Sequence, residues 1–143
     1  MNGPIPARWS PYLLSALRIA TAFTFISHGT QKLFGYPALE PRDPVSLVSL
    51  LGLAAVLELV GGSLVLLGLF TRTIAFLLAG EMAFAYFMAH APRHFWPILN
   101  GGEVVVLFCF VWLFLAAAGP GRWSLDALWS SDADGKAVSP YLH

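Results

Sequence analysis

The sequence predicts an all-α integral membrane protein, a bundle of four transmembrane helices followed by a short C-terminal interfacial helix. Hydrophobic residues make up 57% of the 143 residues and charged residues only 11%, whereas a soluble domain carries roughly 25% charged residues. Four apolar runs approach the length of about 20 residues that a spanning helix needs, and segments rich in proline, glycine and charge separate them. We therefore expect a single membrane domain over residues 1–143, with the lipid bilayer as its solvent.

The first span is predicted over residues 12–34 and the second over residues 45–70. The first run is longer than the apolar region of a typical signal peptide, and further apolar runs follow it, so we interpret it as a retained span. The segment "GYPALEPRDP" between the two spans holds three prolines and cannot continue a helix. Gly61, Gly62 and Gly68 in the second span favour close helix packing.

The third span is predicted over residues 73–90 and the fourth over residues 102–118. The short connection "LFTRT" precedes the third span, and Thr71 or Thr73 is predicted to cap it. Gly80 within this span is also expected to allow close packing. The segment "APRHFWPILNGG" contains two prolines and a glycine pair, so it is predicted to break the chain between the third and fourth helices.

The last predicted element is an interfacial helix over residues 124–130, within "RWSLDALW". Ser124 is the expected N-cap and Asp126 lies in the first turn, where an acidic side chain is favourable. The tryptophans Trp123 and Trp129 are typical of a membrane interface.

Four spans place both termini on the same side of the membrane. Basic residues favour the cytoplasmic side, and more of them lie on the side of the termini, so both termini are predicted to be cytoplasmic. Arg18 lies deeper than the others and is expected to reach the interface by extending its side chain. The terminal side holds Arg8, Arg18, Arg72, Arg122 and Lys136, and the other side holds Lys32, Arg42 and Arg93.

Composition also excludes several classes of function. The formal net charge is zero, so nucleic acid is not an expected partner. Cys109 is the single cysteine, which excludes an intrachain disulfide, a CxxC motif and an iron–sulfur cluster held by this chain. A glycine-rich nucleotide fingerprint is absent, and we predict no metal site.

Two acids, Glu58 and Glu81, lie near the middle of the predicted second and third spans. An acid at the centre of a membrane helix costs about 2.5–3.5 kcal/mol on insertion scales. Both side chains are therefore expected to face the bundle interior. Intramembrane acids of this kind mark functional sites by default, although buried polar groups also hold helices together, at about 0.6 kcal/mol for each hydrogen bond.

The stretch "FTFISHGTQKLFGY" adds His28, Gln31 and Lys32 at the end of the first span. His28 and Lys32 are four residues apart and share one helix face, which Gln31 flanks. Lys32 is predicted to pair with Glu103 at the outer rim, and the deeper His28 is predicted to reach towards the central acids. Among the aromatic residues that either line a cavity or form plain core, we single out Phe25 and Tyr86 as candidate ligand contacts.

Four motifs together resemble the DoxX family of small bacterial membrane proteins, and they extend over about residues 12 to 130. They are "ISHGTQKLFGY", "LELVGGSLVLLGLFTRTIAFLLAGEMAFAYF", "NGGEVVVLF" and "GPGRWSLDALW". The resemblance implies a four-helix bundle in the bacterial cytoplasmic (inner) membrane and an association with quinone-linked oxidoreduction. The polar positions of the family correspond here to His28, Gln31, Lys32, Glu58, Glu81 and Glu103.

Two functions fit these residues. The first is a subunit of a quinone-linked oxidoreductase, in which His28, Glu58 and Glu81 exchange protons. The cofactor is then quinone, and because the chain carries no electron-transfer group, a cofactor-bearing partner is required. The alternative is non-enzymatic, a small-molecule transporter or a membrane-protein assembly factor, and four helices suggest a homo-oligomer for transport. The remaining ligand contacts in either case are Gln31, Lys32, Glu103, Phe25 and Tyr86.

Overall fold

The structure is a computed structural model that describes residues 4–38, 40 and 43–135, with side chains up to residue 130. Arg42 and Lys136, which the topology prediction counts, lie outside these residues. Every regular element in the described part is helical. A short 3-10 turn, Ala7–Trp9, leads into six α-helices, and α3 continues into a π-helical turn, Tyr86–His90. The α-helices are α1 (Ser10–Phe34), α2 (Leu50–Leu67), α3 (Thr71–Ala85), α4 (Pro97–Asn100), α5 (Glu103–Ala118) and α6 (Leu125–Gly135).

The all-helical class predicted from sequence is confirmed for the described residues. By length and composition, two helices of the described part can each cross a membrane, Leu50–Leu67 and Thr71–His90. Of the other two predicted spans, α1 is long enough but less apolar, and the apolar helix α5 is shorter, with 16 residues. Large apolar side chains such as Phe23 and Phe76 project outward from the helices, more than half exposed. Such extensive apolar exposure is unusual for a protein surrounded by water.

Helix α1 packs closely on α2 because glycines remove side chains from the contact. A Cβ atom on Gly29 would lie 2.7 Å from the Leu59 backbone nitrogen and 2.9 Å from the Ala55 carbonyl oxygen. A Cβ atom on Gly62 would lie 2.8 Å from the side chain of Ile26. The predicted packing role of Gly62 is therefore confirmed, and Gly29 takes part although the sequence did not suggest it.

The other predicted packing glycines have different surroundings. Gly61 faces the Leu78 side chain on α3, 2.9 Å from an added Cβ, and so contributes to the predicted close packing. The prediction for Gly80 is wrong, since no atom of another helix lies within 4 Å of a Cβ built there. Gly68 ends α2 with φ +73°, so it acts as a C-cap that only glycine adopts easily.

Aromatic rings fill the core between α1 and α5. The ring of Phe25 meets Phe108 at a centroid distance of 5.1 Å and Trp112 at 5.2 Å, both edge to face. Helix α3 completes the core with the buried side chains of Leu78 and Met82. Helices α3 and α5 run antiparallel: Arg72 at the start of α3 donates hydrogen bonds to carbonyls at the end of α5.

Arg18 is fully buried, which corrects the expectation that it extends to the interface. Its guanidinium donates to the carbonyls of Val65 and Leu66 at the end of α2, to Pro120 at 2.8 Å, and to Trp123. Free carbonyls at a helix end need donors. Arg18 therefore joins the end of α2 to the segment that connects α5 and α6.

The cap of α3 is supplied by a distant residue, and the prediction of Thr71 or Thr73 is wrong. The N-cap residue Phe70 offers no side-chain bond. The Asp126 carboxylate instead accepts hydrogen bonds from the Phe70 and Thr71 amides, at 2.8 and 2.9 Å. The predicted N-cap of α6 is confirmed, since the Ala127 amide donates to Ser124 Oγ at 3.2 Å.

Candidate functional site

An ion pair between Lys32 and Glu58 lies at the interface of α1 and α2. The Lys32 ammonium is 2.5 Å from Glu58 Oε1, and the two side chains are 27% and 4% exposed. The predicted pairing of Lys32 with Glu103 is wrong. Lys32 follows Gly29 by one turn and shares its face, so it points to the stretch of α2 that contains Glu58. Glu103 is exposed in the first turn of α5, where the helix dipole stabilises its charge.

Glu81 lies beside this ion pair without a partner of its own. Both of its carboxyl oxygens are buried, and neither has a hydrogen bond to any described residue. The second oxygen of Glu58 is also buried without a partner. The charges of Glu58 and Lys32 both act on Glu81. Because an unpaired buried carboxylate is costly, Glu81 needs a proton, a ligand or a neighbouring chain to complete its environment.

The side chain of His28 contacts α5. Its ring is half-buried and meets Phe108 edge to face at 5.8 Å, and it makes no hydrogen bond within the part of the chain that the structure describes. The predicted reach of His28 towards Glu58 or Glu81 gives no hydrogen bond to either acid among the described residues. The reason is helical geometry: successive residues are rotated by about 100°, so when Gly29 faces α2, His28 turns towards α5.

The ring of Phe108, which contacts His28, can be placed in depth relative to Glu81. Cys109 on α5 lies across from Ala79 on α3, with Sγ 3.4 Å from the carbonyl oxygen. Since the two helices are antiparallel, Phe108 and Glu81 lie at a similar depth. One turn further along α5, the fully buried Trp112 has an indole N–H with no partner among the described residues. The interior thus holds a carboxyl group and an N–H donor that both lack hydrogen bonds.

The other predicted contacts lie at the end of the bundle away from the termini. Gln31 donates to the Pro37 carbonyl at 2.8 Å and holds the loop after α1. The Tyr86 hydroxyl accepts from Asn100 Nδ2 at 3.3 Å, in the π-helical turn that ends α3. Neither residue contacts the acids in the structure. Phe25 lies in the aromatic core, as described above.

Asn100 organises this end, and sequence reasoning missed it. It is 3% exposed, donates to the His94 carbonyl at 2.8 Å, and accepts from the Gly102 amide at 2.8 Å. His90 Nδ1 lies 3.0 Å from the backbone carbonyl oxygen of Asn100. The "NGG" triplet was a turn signal that could have identified it. Among residues 4–38, 40 and 43–135, no group of three or more His, Cys, Asp or Glu side chains is arranged to hold a metal ion.

Comparisons with known proteins relate the chain to one protein family and to proteins from two bacteria. The model of the DoxX family matches residues 13–91. An uncharacterized protein of Haemophilus influenzae is 41% identical over 128 residues, which cover 83% of this chain and 92% of that protein. An uncharacterized membrane protein of Mycobacterium tuberculosis is 30% identical over 132 residues, which cover 81% of this chain and 80% of the relative. No solved structure matches.

Proposed function

The chain belongs to the DoxX family of membrane proteins, and from this premise we propose that it is an inner-membrane subunit of a quinone-linked oxidoreductase system. The observation that carries the proposal is that the two buried acids differ in their partners. Glu58 has a cationic partner in Lys32, whereas Glu81 has neither a cation nor a hydrogen bond among the described residues. An interior carboxyl group left without a partner is suited to binding and releasing a proton.

The hydrogen-bonding groups of these interior residues match those that a quinone head group requires. A quinone ring is apolar on its faces and has two carbonyl oxygens that need hydrogen-bond donors. The indole N–H of Trp112 is a buried donor with no partner, and a protonated Glu81 is a second donor. Phe25 and Phe108 offer aromatic surfaces close to Trp112. When bound, a quinone supplies two-electron chemistry that takes up two protons.

Each polar residue then has a separate task. Lys32 pairs with Glu58 across the interface of α1 and α2, beside Glu81. Glu81 is the group whose proton occupancy changes. His28 is half-buried and makes no hydrogen bond within the described residues, so its imidazole is available to relay protons between the interior and the surface. Electrons must come from a partner that carries a cofactor, since this sequence contains no motif for one.

We also propose that α1, α2, α3 with its π-helical turn, and α5 each cross the bilayer, with both termini in the cytoplasm. The 25 residues of α1 extend over about 37 Å, which exceeds the hydrocarbon thickness of about 30 Å. Helix α5 is shorter, but it packs antiparallel against α3 along its length, so the two cross together.

The experiment begins with the full chain purified in detergent from bacterial membranes. Organic extraction and chromatography should recover a quinone that copurifies with the protein. The Trp112→Phe variant removes one hydrogen-bond donor and should reduce the recovered quinone about tenfold. Trp129→Phe is the matched control, because Trp129 lies exposed on α6, and it should retain the quinone.

Glu81→Gln tests the proton site in the same preparation. It keeps the size of the side chain but cannot ionise, so the two protons that the bound quinone takes up when an added reductant converts it to quinol should be delivered more slowly. Glu103→Gln changes an exposed acid and should leave proton uptake intact. A folded protein that neither contains quinone nor binds an added short-chain quinone contradicts the proposal. The buried acids would then favour the alternative function, proton-coupled transport.

A further inference from the structure

A groove at the terminal end of the bundle lies far from the buried acids. It has a volume of about 960 Å³ and opens between the start of α1, the end of α5 and the start of α6. Its apolar wall is formed by Leu13 and Leu17 from α1 and by Phe114 from α5. These side chains are 49%, 38% and 54% exposed, so the helices leave an apolar surface uncovered. This volume is at the upper end of the range for small-molecule sites, about 300–1,000 Å³.

One end of the groove carries positive charge. Arg122 is exposed at the rim, and its guanidinium lies 6.0 Å from the centre of the Tyr12 ring. Within the described residues Arg122 forms no ion pair, and the residues that line the groove include no acid. The first turn of α1, which borders the same rim, also lacks an acidic residue. Among the described residues, the charge of Arg122 therefore has no acidic partner.

The charged end and the apolar wall of the groove are arranged one after the other along the axis of the bundle. Arg122 lies at the end of the bundle over Tyr12, whose ring contacts the exposed rings of Trp9 and Trp123. Tryptophans in such positions are typical of the membrane interface. The apolar wall continues from Leu13 to Leu17, about 6 Å further along α1. A bound molecule must accordingly have an anionic group at the interface and an apolar chain directed into the membrane.

We propose that this groove binds a phospholipid with an anionic head group. The phosphate lies at Arg122, and an acyl chain lies along Leu13, Leu17 and Phe114. Basic pockets at the ends of membrane helices bind such head groups, and each basic residue near the surface contributes enough to change affinity about fivefold. The site is separate from the proposed quinone site, so either proposal can fail without the other.

Native mass spectrometry of the full chain in detergent provides the test. The probes are dioleoyl phosphatidylglycerol and dioleoyl phosphatidylcholine, which share acyl chains and differ in net charge. The wild-type protein should retain phosphatidylglycerol at least about fivefold more strongly. Arg122→Gln should abolish this preference, and Arg122→Lys should preserve most of it. Arg93→Gln is the control, because Arg93 is an exposed cation at the other end of the bundle.

The apolar half is tested separately with Leu13→Trp, which fills the groove from an exposed position and should weaken both lipids. A photoreactive phosphatidylglycerol should also label the wild-type protein on peptides containing residues 10–17 or 114, a result that depends on no variant. Equal retention of the two lipids, or an unchanged preference in Arg122→Gln, overturns the proposal. Displacement of phosphatidylglycerol by inorganic phosphate alone also overturns it, since that result identifies a simple anion site.

Discussion

Lys32 and Glu58 show how strongly the surroundings of a residue decide its role. Both are charged, yet Glu58 is 4% exposed, and in the membrane interior its charge is tolerable only with a cation beside it. Lys32 contributes the ammonium from one turn beyond the Gly29 contact. The stability of the pair therefore depends on both partners, whereas the nearby Glu81 has no such support among the described residues.

Lys32→Met should destabilise the protein by roughly 3 kcal/mol, because it leaves Glu58 as a buried charge without its cation. Unfolding in mixed detergent and denaturant measures the free energy. The double variant Lys32→Met/Glu58→Met replaces the pair with apolar side chains and should recover most of the loss. If Lys32→Met is as stable as the wild type, the ion pair makes no contribution, and Glu58 must be satisfied in another way.

At the scale of the helices, glycine contacts determine which side chains meet. Gly29 brings α1 against the Ala55 and Leu59 backbone, and this contact orients Lys32 towards α2 and His28 towards α5. Gly80 is also a helical glycine, in α3 next to Glu81, but a Cβ added there would enter open space. The two glycines therefore form a natural pair for comparison.

Gly29→Ala should destabilise the α1–α2 contact by about 1–3 kcal/mol, because the added methyl group meets backbone atoms that cannot move independently. Gly80→Ala should be neutral or stabilising by up to about 1 kcal/mol, since alanine is the better helix former. Thermal unfolding of the two variants in the same detergent measures both effects. Equal stability of the two variants would contradict the close approach of α1 and α2 at Gly29.

At the scale of the whole molecule, the segment after α5 holds the terminal end of the bundle together. Arg18 binds carbonyls of α2 and of this segment, and Asp126 caps α3. These bonds connect residues far apart in sequence, so this end of the bundle forms only when all four long helices have assembled.

Asp126→Ala should lower stability by about 1 kcal/mol, because two amides at the start of α3 lose their acceptor. Amide hydrogen exchange should increase first at Phe70 and Thr71. Asp43→Ala, in the exposed loop before α2, is the control and should leave both quantities unchanged. Unaltered exchange at Phe70 in Asp126→Ala would show that the cap is not maintained in solution.

The proposed orientation can be tested with a single engineered thiol. In a Cys109→Ser background, Glu40→Cys lies in the loop between α1 and α2, which is expected to face the outside when both termini are cytoplasmic. A membrane-impermeant maleimide should label it in intact spheroplasts, and Ser130→Cys should react only after lysis. The opposite pattern would reverse the orientation.

The sequence by itself determined the helical class, the approximate helix ranges and the identity of the interior acids. Apolar runs, proline breaks and the Ser124 cap are local signals, and local chemistry is sufficient to interpret them. Helix packing alone decided the partners: Lys32 with Glu58 instead of Glu103, and Asp126 as the cap of α3. Which side chains pair across two helices depends on the rotation and depth of both helices. Contacts between the helices, such as Gly29 on Ala55, set that rotation and depth, and residue spacing along one helix does not encode them.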